Sequence, residues 1–458
     1  MTLTKVTYSM IQGTPINVCD YGFSTSNTAA QNTAILAGLL PDGTNGKELI
    51  IPQGTYNLDP LVLENVVYVT IRGVGKVTLS FSTGEAAITL GDLAHTKAVR
   101  RCIFDNLRII GSGALNYGVK SLFGVDNVMY NVIIEDDGTS FIDTGLYLDF
   151  SWDNNFYGLI IKTLNGIYFT TDEANKNSFF GGRFESTDAT TGVGISAASK
   201  ANAFYGCDIE SWDYAVDVRN SVGFTLSGCY FEGNSTNDVF FSGTGTAYST
   251  IITGCFFDVR TFTTDSIVQN STGNIASGVV IQGNNFAGPP ASAFIVMTAL
   301  SSDWSIAGNS FTGSSDYYDG IDLGSGNQIQ NLTGSWTPLY KASVSGTPTT
   351  SQSAGTWIKQ GRLVTAWFQI KGVANGASGN LFIDGLPFTA GASLNGRGYA
   401  GSVVQALSWG TGTPASTQKG AANKTIDIYG SAGTNITVAN MGVGDNEIVG
   451  MVSYYAAN

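Results

Sequence analysis

Histidine is nearly absent from this 458-residue chain, which contains only His95. A Ser-His-Asp triad needs a histidine as its base, and catalytic zinc sites depend on histidine ligands. His95 lies in the short segment Leu93-Ala94-His95-Thr96, and we interpret it as a loop residue. The chain also lacks the Gly-x-x-x-x-Gly-Lys-Ser/Thr pattern that binds phosphates. We therefore expect no metal site and no cofactor.

Positive charge and long apolar runs are scarce as well. Charged residues make up 12% of the chain, and 35 Asp and Glu against 22 Lys and Arg give a formal net charge of −13. Without a basic run there is no electrostatic footprint for nucleic acid. No apolar stretch approaches the ~20 residues that span a bilayer. Residues 1–13 lack the basic start and apolar centre of a signal peptide, so we expect a β-rich protein that leaves the cell by another route.

A degenerate cassette recurs nine times through the middle of the chain: an aromatic or polar residue, then Gly or Asn, then an alternating apolar strand, often closed by Glu or Asp. Counted from the Gly or Asn, its copies start at Asn106, Asn131, Gly158, Gly181, Gly206, Gly228, Gly254, Gly283 and Gly308. The mean interval is about 25 residues, within the range typical of stacked repeats. Because the windows are rich in Phe, Tyr, Ile and Val and alternate with period two, each copy predicts one turn of a parallel β-helix.

Alternation along each strand assigns the two faces of the cassette, because successive side chains point in opposite directions. Positions one and three after the Gly or Asn are apolar and are predicted to line the interior. They carry Cys207, Cys229, Cys255, Asn284 and Asn309 at the first position, and Phe184, Ile209, Phe231, Phe257, Phe286 and Phe311 at the third. We interpret the cysteines as buried thiols, since an odd total of five argues against a full disulfide framework.

The opposite face carries the candidate functional residues. On four consecutive repeats it presents Arg183 and Glu185, Asp208 and Glu210, Tyr230 and Glu232, and Phe256 and Asp258. Trp212, Asp213 and Tyr214 follow directly after the Glu210 strand. Exposed aromatic rings beside carboxylates favour carbohydrate, because sugars present flat C–H faces to rings and hydroxyls to acids. A solvated polar surface is the plain alternative.

The N-terminal part predicts one helix, between Ser26 and Leu40, with Ser26 or Asn27 as N-cap and Pro41 as the stop. Such a helix ahead of a β-helix would cover its open apolar end. The tripeptide Asp20-Tyr21-Gly22 precedes it, and a strand containing Pro52, Gly54 and Tyr56 follows. This pair of motifs resembles the opening of the pectate-lyase-like right-handed β-helix superfamily, especially bacteriophage tailspikes. Residues 1–13 are similar to the short particle-proximal end of such tailspikes.

The resemblance covers roughly residues 1–330 and implies a homotrimer of parallel β-helices on a phage tail. It implies that the protein binds, and usually cleaves, capsular or O-antigen polysaccharide at the host surface, with the tail or an adaptor protein held by the N-terminal lead. Between Gly22 and Ile35 the family's acidic residues are replaced by Ser24, Ser26, Asn27, Gln31 and Asn32, which weakens any expectation of a cation there.

The 25-residue period ends near residue 330, and longer alternating strands follow. Trp357 to Lys359 and the segment 362–370, joined by a Gln360-Gly361 turn, predict a hairpin with Val364, Ala366, Phe368 and Ile370 on one face. Further strands are predicted at 381–383, 425–429, 435–438 and 448–455. The resulting division is a lead (1–13), an N-terminal cap with the first turns (14–100), the parallel β-helix (101–330) and a C-terminal β-sandwich (331–458). That sandwich resembles tailspike tips, which clamp a trimer or bind sugar.

Carboxylates are the remaining candidates for catalysis on the outward face. Glycoside hydrolysis needs one protonated and one ionised carboxyl, ~5–5.5 Å apart for retention or ~6.5–9.5 Å for inversion. Our hypothesis makes Glu210 the general acid, with its pKa raised by Glu185 and Glu232, and Asp208 or Asp258 the residue that activates water. The substrate would contact Arg183, Tyr230, Phe256, Trp212, Asp213 and Tyr214.

Three alternatives stay open from sequence. A polysaccharide lyase would use Tyr230 as base and Arg183 to neutralise a uronate, although the acidic surroundings disfavour that substrate. An adhesin without turnover would use the carboxylates as hydrogen-bonding groups. The site could also lie between subunits, where a neighbouring chain would supply Asp149, Asp153 or Asp172.

Overall fold

The structure is a computed structural model. It describes residues 14–136, 142–170, 173–188, 191–242, 246–261, 264–273, 275–313, 318–319, 327–329, 332–360, 363–388, 399–410, 412–419, 425–431 and 433–455. The N-terminal lead 1–13, Asp172 and the hairpin residues 361–362 lie outside the described residues. The chain divides into two compact units, Met1–Gln328 and Ile329–Asn458.

The first unit is an all-β parallel solenoid of about ten turns, as the repeats predict, and of the right-handed type that the resemblance implies. Each typical turn contributes two short strands to one large sheet and one strand to a second sheet. The large sheet opens with β1 (Ile16–Asn17), β2 (Glu48–Leu58) and β4 (Thr70–Phe81). It continues as two columns of strands that meet at the cassette Gly or Asn.

The first column ends at the residue before that Gly or Asn and contains β7 (Ile103–Asp105), β11 (Val128–Tyr130), β14 (Asn155–Tyr157), β17 (Ser178–Phe180), β20 (Ala203–Tyr205), β23 (Thr225–Ser227), β27 (Ile251–Thr253), β31 (Val280–Gln282), β35 (Ser305–Ala307) and β38 (Gln328–Ile329). The second column begins two residues after it and contains β8 (Arg108–Gly111), β12 (Ile133–Asp136), β15 (Ile160–Thr163), β18 (Arg183–Ser186), β21 (Asp208–Glu210), β24 (Tyr230–Glu232), β28 (Phe256–Asp258), β32 (Asn285–Ala287) and β36 (Ser310–Thr312).

The second sheet is also parallel from turn to turn. Its strands are β3 (Leu61–Leu63), β5 (Gly84–Leu90), β9 (Leu115–Ser121), β13 (Ile142–Leu148), β16 (Asn165–Phe169), β19 (Val193–Lys200), β22 (Tyr214–Val222), β25 (Asn237–Phe241), β26 (Ala247–Tyr248), β29 (Asp265–Gln269), β30 (Ala276–Ser277), β33 (Ile295–Val296), β34 (Ser301–Ser302) and β37 (Tyr318–Asp319). A separate pair joins β6 (Val99–Arg100) to β10 (Gly124–Val125).

The Gly or Asn of the cassette is the bend between the two columns. All nine have positive φ, from +50° at Asn131 to +66° at Gly283. Glycine adopts this left-handed conformation without a Cβ clash, and Asn is among the few other residues that visit it routinely. The cassette therefore repeats because every turn of the solenoid needs a left-handed residue at the same corner.

The interior follows the predicted alternation. Cys207, Cys229 and Cys255 are 1% exposed, and all five cysteines of the chain are free thiols. The phenylalanines stack along the axis, with ring centroids 4.7 Å apart for Phe231 and Phe257 and 4.8 Å apart for Phe257 and Phe286. Asn309 and Phe311 depart from the prediction: both are only half-buried, Asn309 directly before the last strand of the second column and Phe311 within it.

The predicted helix is present as α1 (Ala29–Leu39), but its N-cap is Thr28 rather than Ser26 or Asn27. Thr28 and Gln31 form a capping box, in which the threonine side chain accepts from the Gln31 amide and the glutamine side chain accepts from the Thr28 amide. The helix packs against β2 and β3. Its role as the cap of the solenoid stays a prediction.

The second unit is one nine-stranded antiparallel sheet rather than the two separate sheets of the predicted sandwich. Its strands are β39 (Leu332–Trp336), β40 (Leu339–Ala342), β41 (Thr349–Gln360), β42 (Leu363–Val373), β43 (Leu381–Asp384), β44 (Tyr399–Leu407), β45 (Pro414–Lys419), β46 (Ile426–Gly430) and β47 (Asn446–Tyr455), paired in the order β39-β41-β42-β47-β44-β45-β46-β43-β40. Register shifts in the pairings of β41, β44 and β45 mark bulges, which bend strands and let one sheet curve over a core.

The hairpin prediction is confirmed by β41 and β42, whose pairing runs to Gln360 and Leu363. Val364, Ala366, Phe368 and Ile370 are all buried in the core of this unit. The strand predicted at 435–438 is reduced to two isolated antiparallel bridges, at Asn435 and Thr437, and Val438 begins a short 3-10 helix. In the described part of the chain, no helix combines the length and the hydropathy needed to cross a membrane.

Candidate active site

The four carboxylates predicted on the outward face form a ladder in the second column. Register pairing places Glu185 beside Glu210, Glu210 beside Glu232, and Glu232 beside Asp258. Neighbouring strands lie ~4.8 Å apart, so each carboxylate has another one strand away. We call Glu185, Glu210, Glu232 and Asp258 the carboxylate ladder.

A second row runs parallel to the ladder, two residues earlier on each strand. It contains Arg183, Asp208, Tyr230 and Phe256, again in register. Residues two apart on one strand share a face and are separated by ~6.6 Å of rise. The strand alternation and the parallel register together therefore bring one cation, five carboxylates and two aromatic rings onto one surface.

Arg183 is the cation at the centre of this surface. Its Nη2 contacts Oε1 of Glu210 at 2.5 Å and Oε2 of Glu185 at 3.3 Å. Lys162, one strand earlier, contacts the other oxygen of Glu185 at 3.2 Å. The guanidinium is half-exposed, whereas the Glu210 side chain is 17% exposed, so the ion pair screens much of that carboxylate from water.

Asp208 has no such partner. Its Oδ1 is buried and accepts no hydrogen bond from any described residue. Burial raises the pKa of Asp208 to about 6; the charge of Glu210 adds to this, Arg183 opposes it, and Glu232 and Glu185 raise it further. The carboxyl with the raised pKa is thus Asp208, whereas our sequence hypothesis gave the acid role to Glu210.

Tyr230 and Phe256 form the apolar side of the site. Their rings stack at a centroid distance of 5.5 Å with planes 15° apart, and both side chains are half-buried. The Tyr230 hydroxyl donates to Oε2 of Glu232 at 2.8 Å. Burial raises the pKa of Tyr230 to about 12, helped by that hydrogen bond and the charge of Glu232. The ring pair is a flat platform beside the ladder.

Asp258 does not share the exposure that its place in the ladder predicts. Its side chain is 2% exposed, and both of its oxygens accept from Nε of Arg260, at 2.8 and 3.0 Å. This hydrogen bonding lowers the pKa of Asp258. Because Arg260 lies two residues further along the chain and covers the carboxylate, Asp258 ends the ladder as a closed ion pair and not as an accessible base.

The segment after β21 is also placed differently from the prediction. Trp212 is fully buried, and its indole N–H donates to the Phe184 carbonyl at 3.1 Å. Asp213 accepts hydrogen bonds from Ser235 and Thr236, and Tyr214 starts β22 of the second sheet with its ring 5.0 Å from Phe240. The prediction that Trp212 contacts substrate is wrong, since a tryptophan with a satisfied N–H is also a good core residue.

An exposed row of aromatic rings, not predicted from the sequence, lies at the end of the first column. Tyr130, Tyr157, Phe180 and Tyr205 stack in sequence, with centroids 5.0, 4.9 and 5.1 Å apart. The three tyrosines are 37 to 40% exposed. Simple alternation would turn this position inward, but the left-handed bend resets the alternation and turns it out. The signal was the aromatic residue that precedes the cassette Gly or Asn in these four copies.

The residues considered for a site between subunits are only partly described. Asp149 accepts from Thr170 at 2.8 Å and lies 3.5 Å from Nε2 of His95, while Asp153 has a left-handed backbone with φ +59°. His95 is not a plain surface residue, because its ring stacks on Phe150 at 4.1 Å. Within the described ranges, no three His, Cys, Asp or Glu side chains are grouped as a metal site.

Comparison with known proteins shows that the fold of this chain is similar to that of solved structures. No protein-family model matches the sequence, and no curated protein matches it either. Solved structures do match: the A-module of Azotobacter vinelandii mannuronan C-5 epimerase AlgE6 is 13% identical with a TM-score of 0.50, covering 68% of this chain and 98% of the module.

Two tailspikes match over more of the chain. The Dettilon tailspike protein gp208 is 13% identical with a TM-score of 0.47, covering 96% of this chain and 94% of its own. The tailspike protein gp49 of Acinetobacter baumannii bacteriophage Fri1, described as a capsular polysaccharide depolymerase, is 11% identical with a TM-score of 0.47, covering 98% and 87%. At such low identity the epimerase match shows similarity of fold alone, that of a parallel β-helix.

Proposed function

We propose that this protein is a polysaccharide depolymerase that hydrolyses glycosidic bonds at the carboxylate ladder. The observation that carries the proposal is the pair Asp208 and Glu210. Asp208 has a pKa raised to about 6 and a buried Oδ1 without a hydrogen-bond partner, whereas Glu210 two residues away is ion-paired with Arg183. Two carboxyls with divergent environments are what acid and base roles in glycoside hydrolysis require.

In this mechanism Asp208 is the general acid. Its proton passes to the glycosidic oxygen of the leaving sugar, and Glu210 then acts either on a water molecule or directly on the anomeric carbon. The ~6.6 Å rise between their Cα atoms fits both the inverting and the retaining spacing once side-chain rotamers are allowed. Proton NMR of the first product anomer distinguishes the two routes.

The remaining residues of the surface have supporting roles. Glu185 and Glu232 supply negative charge that stabilises the positive charge developing on the sugar ring in the transition state. Arg183 fixes the orientation of Glu210 through the ion pair at 2.5 Å. Tyr230 and Phe256 offer a ring platform for a neighbouring sugar.

The same contacts count against elimination at this surface. A lyase would need Tyr230 deprotonated, but burial and its hydrogen bond to Glu232 raise its pKa to about 12. It would also need a free cation for the uronate carboxylate, whereas Arg183 already contacts two glutamates. Hydrolysis is therefore the better account of this geometry.

The biological setting is part of the proposal and rests on the resemblance of Asp20-Tyr21-Gly22 and the following strand to tailspikes. We propose a homotrimer that residues 1–13 attach to a phage tail or adaptor, acting on capsule or O-antigen at the host surface. Size-exclusion chromatography with light scattering would show three chains. A monomer at micromolar concentration would contradict the trimer.

The experiment measures two products formed from purified surface polysaccharides of a panel of bacterial hosts. New reducing ends and the ultraviolet absorbance of unsaturated uronates are followed in parallel. We expect reducing ends without absorbance, and a loss of about 10²- to 10⁴-fold in kcat for Asp208→Asn and for Glu210→Gln. Asp303→Asn, an exposed carboxylate of the same solenoid, is the matched control and should retain full activity.

Two outcomes would overturn the hydrolase. Absorbance of unsaturated products would establish a lyase. Binding to a polymer of the panel without any fall in its viscosity would establish an adhesin, for which the ladder would be a hydrogen-bonding groove. Mixed trimers of the two single variants test the location: activity restored by mixing would place the two carboxyls in different subunits.

A further inference from the structure

A groove on the second sheet is distinct from the carboxylate ladder and has a composition of its own. Its cavity measures about 460 Å³, within the ~300–1,000 Å³ typical of small-molecule sites. Three tyrosines line it, one each from β9, β13 and β16: Tyr117, Tyr147 and Tyr168. Their spacing in sequence departs from the cassette period, so the cassette does not predict them.

The tyrosines form a continuous aromatic wall along the solenoid axis. The rings of Tyr147 and Tyr168 are parallel within 1° at a centroid distance of 5.5 Å, and the ring of Tyr117 lies 4.8 Å from that of Tyr147. Tyr168 is 37% exposed, so the wall is open to solvent at this end. Stacked rings of this kind present an extended flat surface to a ligand.

Polar groups of both kinds face the same cavity. Asn165, Asp143, Ser196 and Arg219 line it together with the tyrosines. Ser196 is 4% exposed, and its Oγ has no hydrogen-bond partner among the described residues. A buried hydroxyl without a partner costs free energy, and a ligand hydroxyl that bonds to it would remove that cost. The serine is thus a second and independent indication of a ligand.

The charges around the groove select among ligands. Arg219 is paired with the buried Asp217 at 2.7 Å, and Lys120, which lies 5.1 Å from the Tyr117 ring centre, is paired with Glu85 at 2.5 Å. Asp143 accepts from Asn165 at 3.2 Å and has no cation partner in the described part of the chain. Of the two charged side chains that line the cavity, Arg219 is neutralised by Asp217, whereas the negative charge of Asp143 is left without an ion pair among the described residues. An acidic ligand would be repelled, whereas a neutral one would not.

We propose that this tyrosine groove binds a neutral sugar residue of a polysaccharide. The C–H face of the sugar lies on Tyr147 and Tyr168, and its hydroxyls exchange hydrogen bonds with Ser196, Asn165 and Asp143. The groove is a binding site separate from the carboxylate ladder, and it holds polymer whether or not the ladder cleaves it.

The test measures binding without turnover, in the full chain carrying Asp208→Asn and Glu210→Gln. The probes are purified bacterial surface polysaccharides, sorted into those with only neutral sugars and those containing uronates, and binding is followed by biolayer interferometry. In that background, Tyr168→Ala should raise the Kd for a neutral polymer tenfold or more. Tyr168→Phe, which keeps the ring, should bind within about threefold of the parent. Tyr248→Ala, at a tyrosine of β26 that is 46% exposed, is the control and should leave the Kd unchanged.

Three results would overturn the proposal that the groove binds a neutral sugar. They are unchanged binding by Tyr168→Ala, consistent preference for uronate polymers over neutral ones, and absence of binding to every polymer of the panel. Since Tyr168 is at the surface, circular dichroism of Tyr168→Ala should match the parent. Ser196→Ala is a second variant that removes the hydroxyl without adding volume at this buried position. It should weaken binding to neutral polymers without altering the fold. Failure of hydrolysis at the ladder would leave all of these outcomes unaffected.

Discussion

Tyr230 donates a hydrogen bond from its hydroxyl to Oε2 of Glu232, two residues along the same strand, at 2.8 Å. With its pKa raised to about 12 by burial and by this carboxylate, the phenol acts as a donor and not as a base. We expect Tyr230→Phe to keep the stack on Phe256 and lose one hydrogen bond worth ~1 kcal/mol. Initial rates of reducing-end formation should fall less than about tenfold. A loss of about 10²-fold or more would indicate that Tyr230 takes part in proton transfer and would contradict the assignment.

The pH dependence of cleavage should follow Asp208. As the general acid it must be protonated, so activity is present below its pKa of about 6 and falls as the pH rises through it. Arg183 lowers that pKa, and removing its charge should therefore move the falling limb to higher pH. We expect this shift for Arg183→Gln in kcat/KM profiles.

Lys162→Gln is the matched control for this profile. Lys162 contacts Glu185 at 3.2 Å but is not among the groups that shift the pKa of Asp208. The falling limb of the pH profile of Lys162→Gln should coincide with that of the parent protein. If both variants move the limb equally, the effect belongs to the general charge of the surface and the specific role of Arg183 is refuted.

The solenoid was predictable because its signals are local and repeated. A left-handed residue at each corner and period-two alternation after it are both visible in the cassette, and they placed Cys207, Ile209 and Glu210 on the correct faces. The strand order then follows, since each turn pairs with the next.

The details of the site were less predictable because they depend on contacts that alternation does not encode. Trp212 is inside because a carbonyl one turn earlier accepts its indole N–H. Asp258 is shielded from solvent because the Arg260 side chain forms an ion pair with its carboxylate. Our proposal gives the acid role to Asp208 and not to Glu210, because Arg183 is ion-paired with Glu210 and burial raises the pKa of Asp208. In the second unit, β44 and β45 were missed because their Ser, Thr and Ala residues give little apolar pattern.

Asp238 should make the stability of the solenoid depend on pH. It is 1% exposed in β25, with Oδ1 accepting from Asn234 at 2.8 Å and Oδ2 buried without a partner. Burial raises its pKa from 3.8 to about 7, against the hydrogen bond from Asn234. The folded state therefore binds the proton more tightly than the unfolded state. The resulting stability is complete below pH 3.8 and is lost as the pH rises toward 7.

We expect the free energy of unfolding of the full chain, measured by urea titration, to fall between about pH 4 and pH 7. Asp238 should contribute a slope of at most about 1.4 kcal/mol per pH unit. Asp238→Asn should flatten this dependence and stabilise the protein above pH 7. Asp208 adds a weaker slope of the same sign, so some dependence remains. The exposed Asp303→Asn should keep the parent slope. A slope of parent size in Asp238→Asn would refute the role of Asp238.

An asparagine ladder inside the solenoid should be a main source of its stability. Asn154 donates from Nδ2 to Oδ1 of Asn177 at 2.9 Å, and Asn177 donates to Oδ1 of Asn202 at 3.1 Å. Asn177 also donates to the Ser151 carbonyl at 3.0 Å and is fully buried. Asn177→Ala leaves buried donors and acceptors without partners, each costing ~1–3 kcal/mol.

We expect Asn177→Ala to reduce the free energy of unfolding by about 2–4 kcal/mol, measured by urea titration at constant pH. Asn155→Ala is the control on the neighbouring strand: Asn155 is half-buried, donates to one carbonyl at 3.3 Å, and should cost no more than about 0.5 kcal/mol. Asn177→Asp is the sharper variant, because it keeps the shape and the acceptor but replaces the donor by a buried carboxylate. Its stability should recover as the pH is lowered and the carboxyl is protonated. Equal stability of the two alanine variants would show that Asn177 in the ladder contributes no more to stability than the half-buried Asn155.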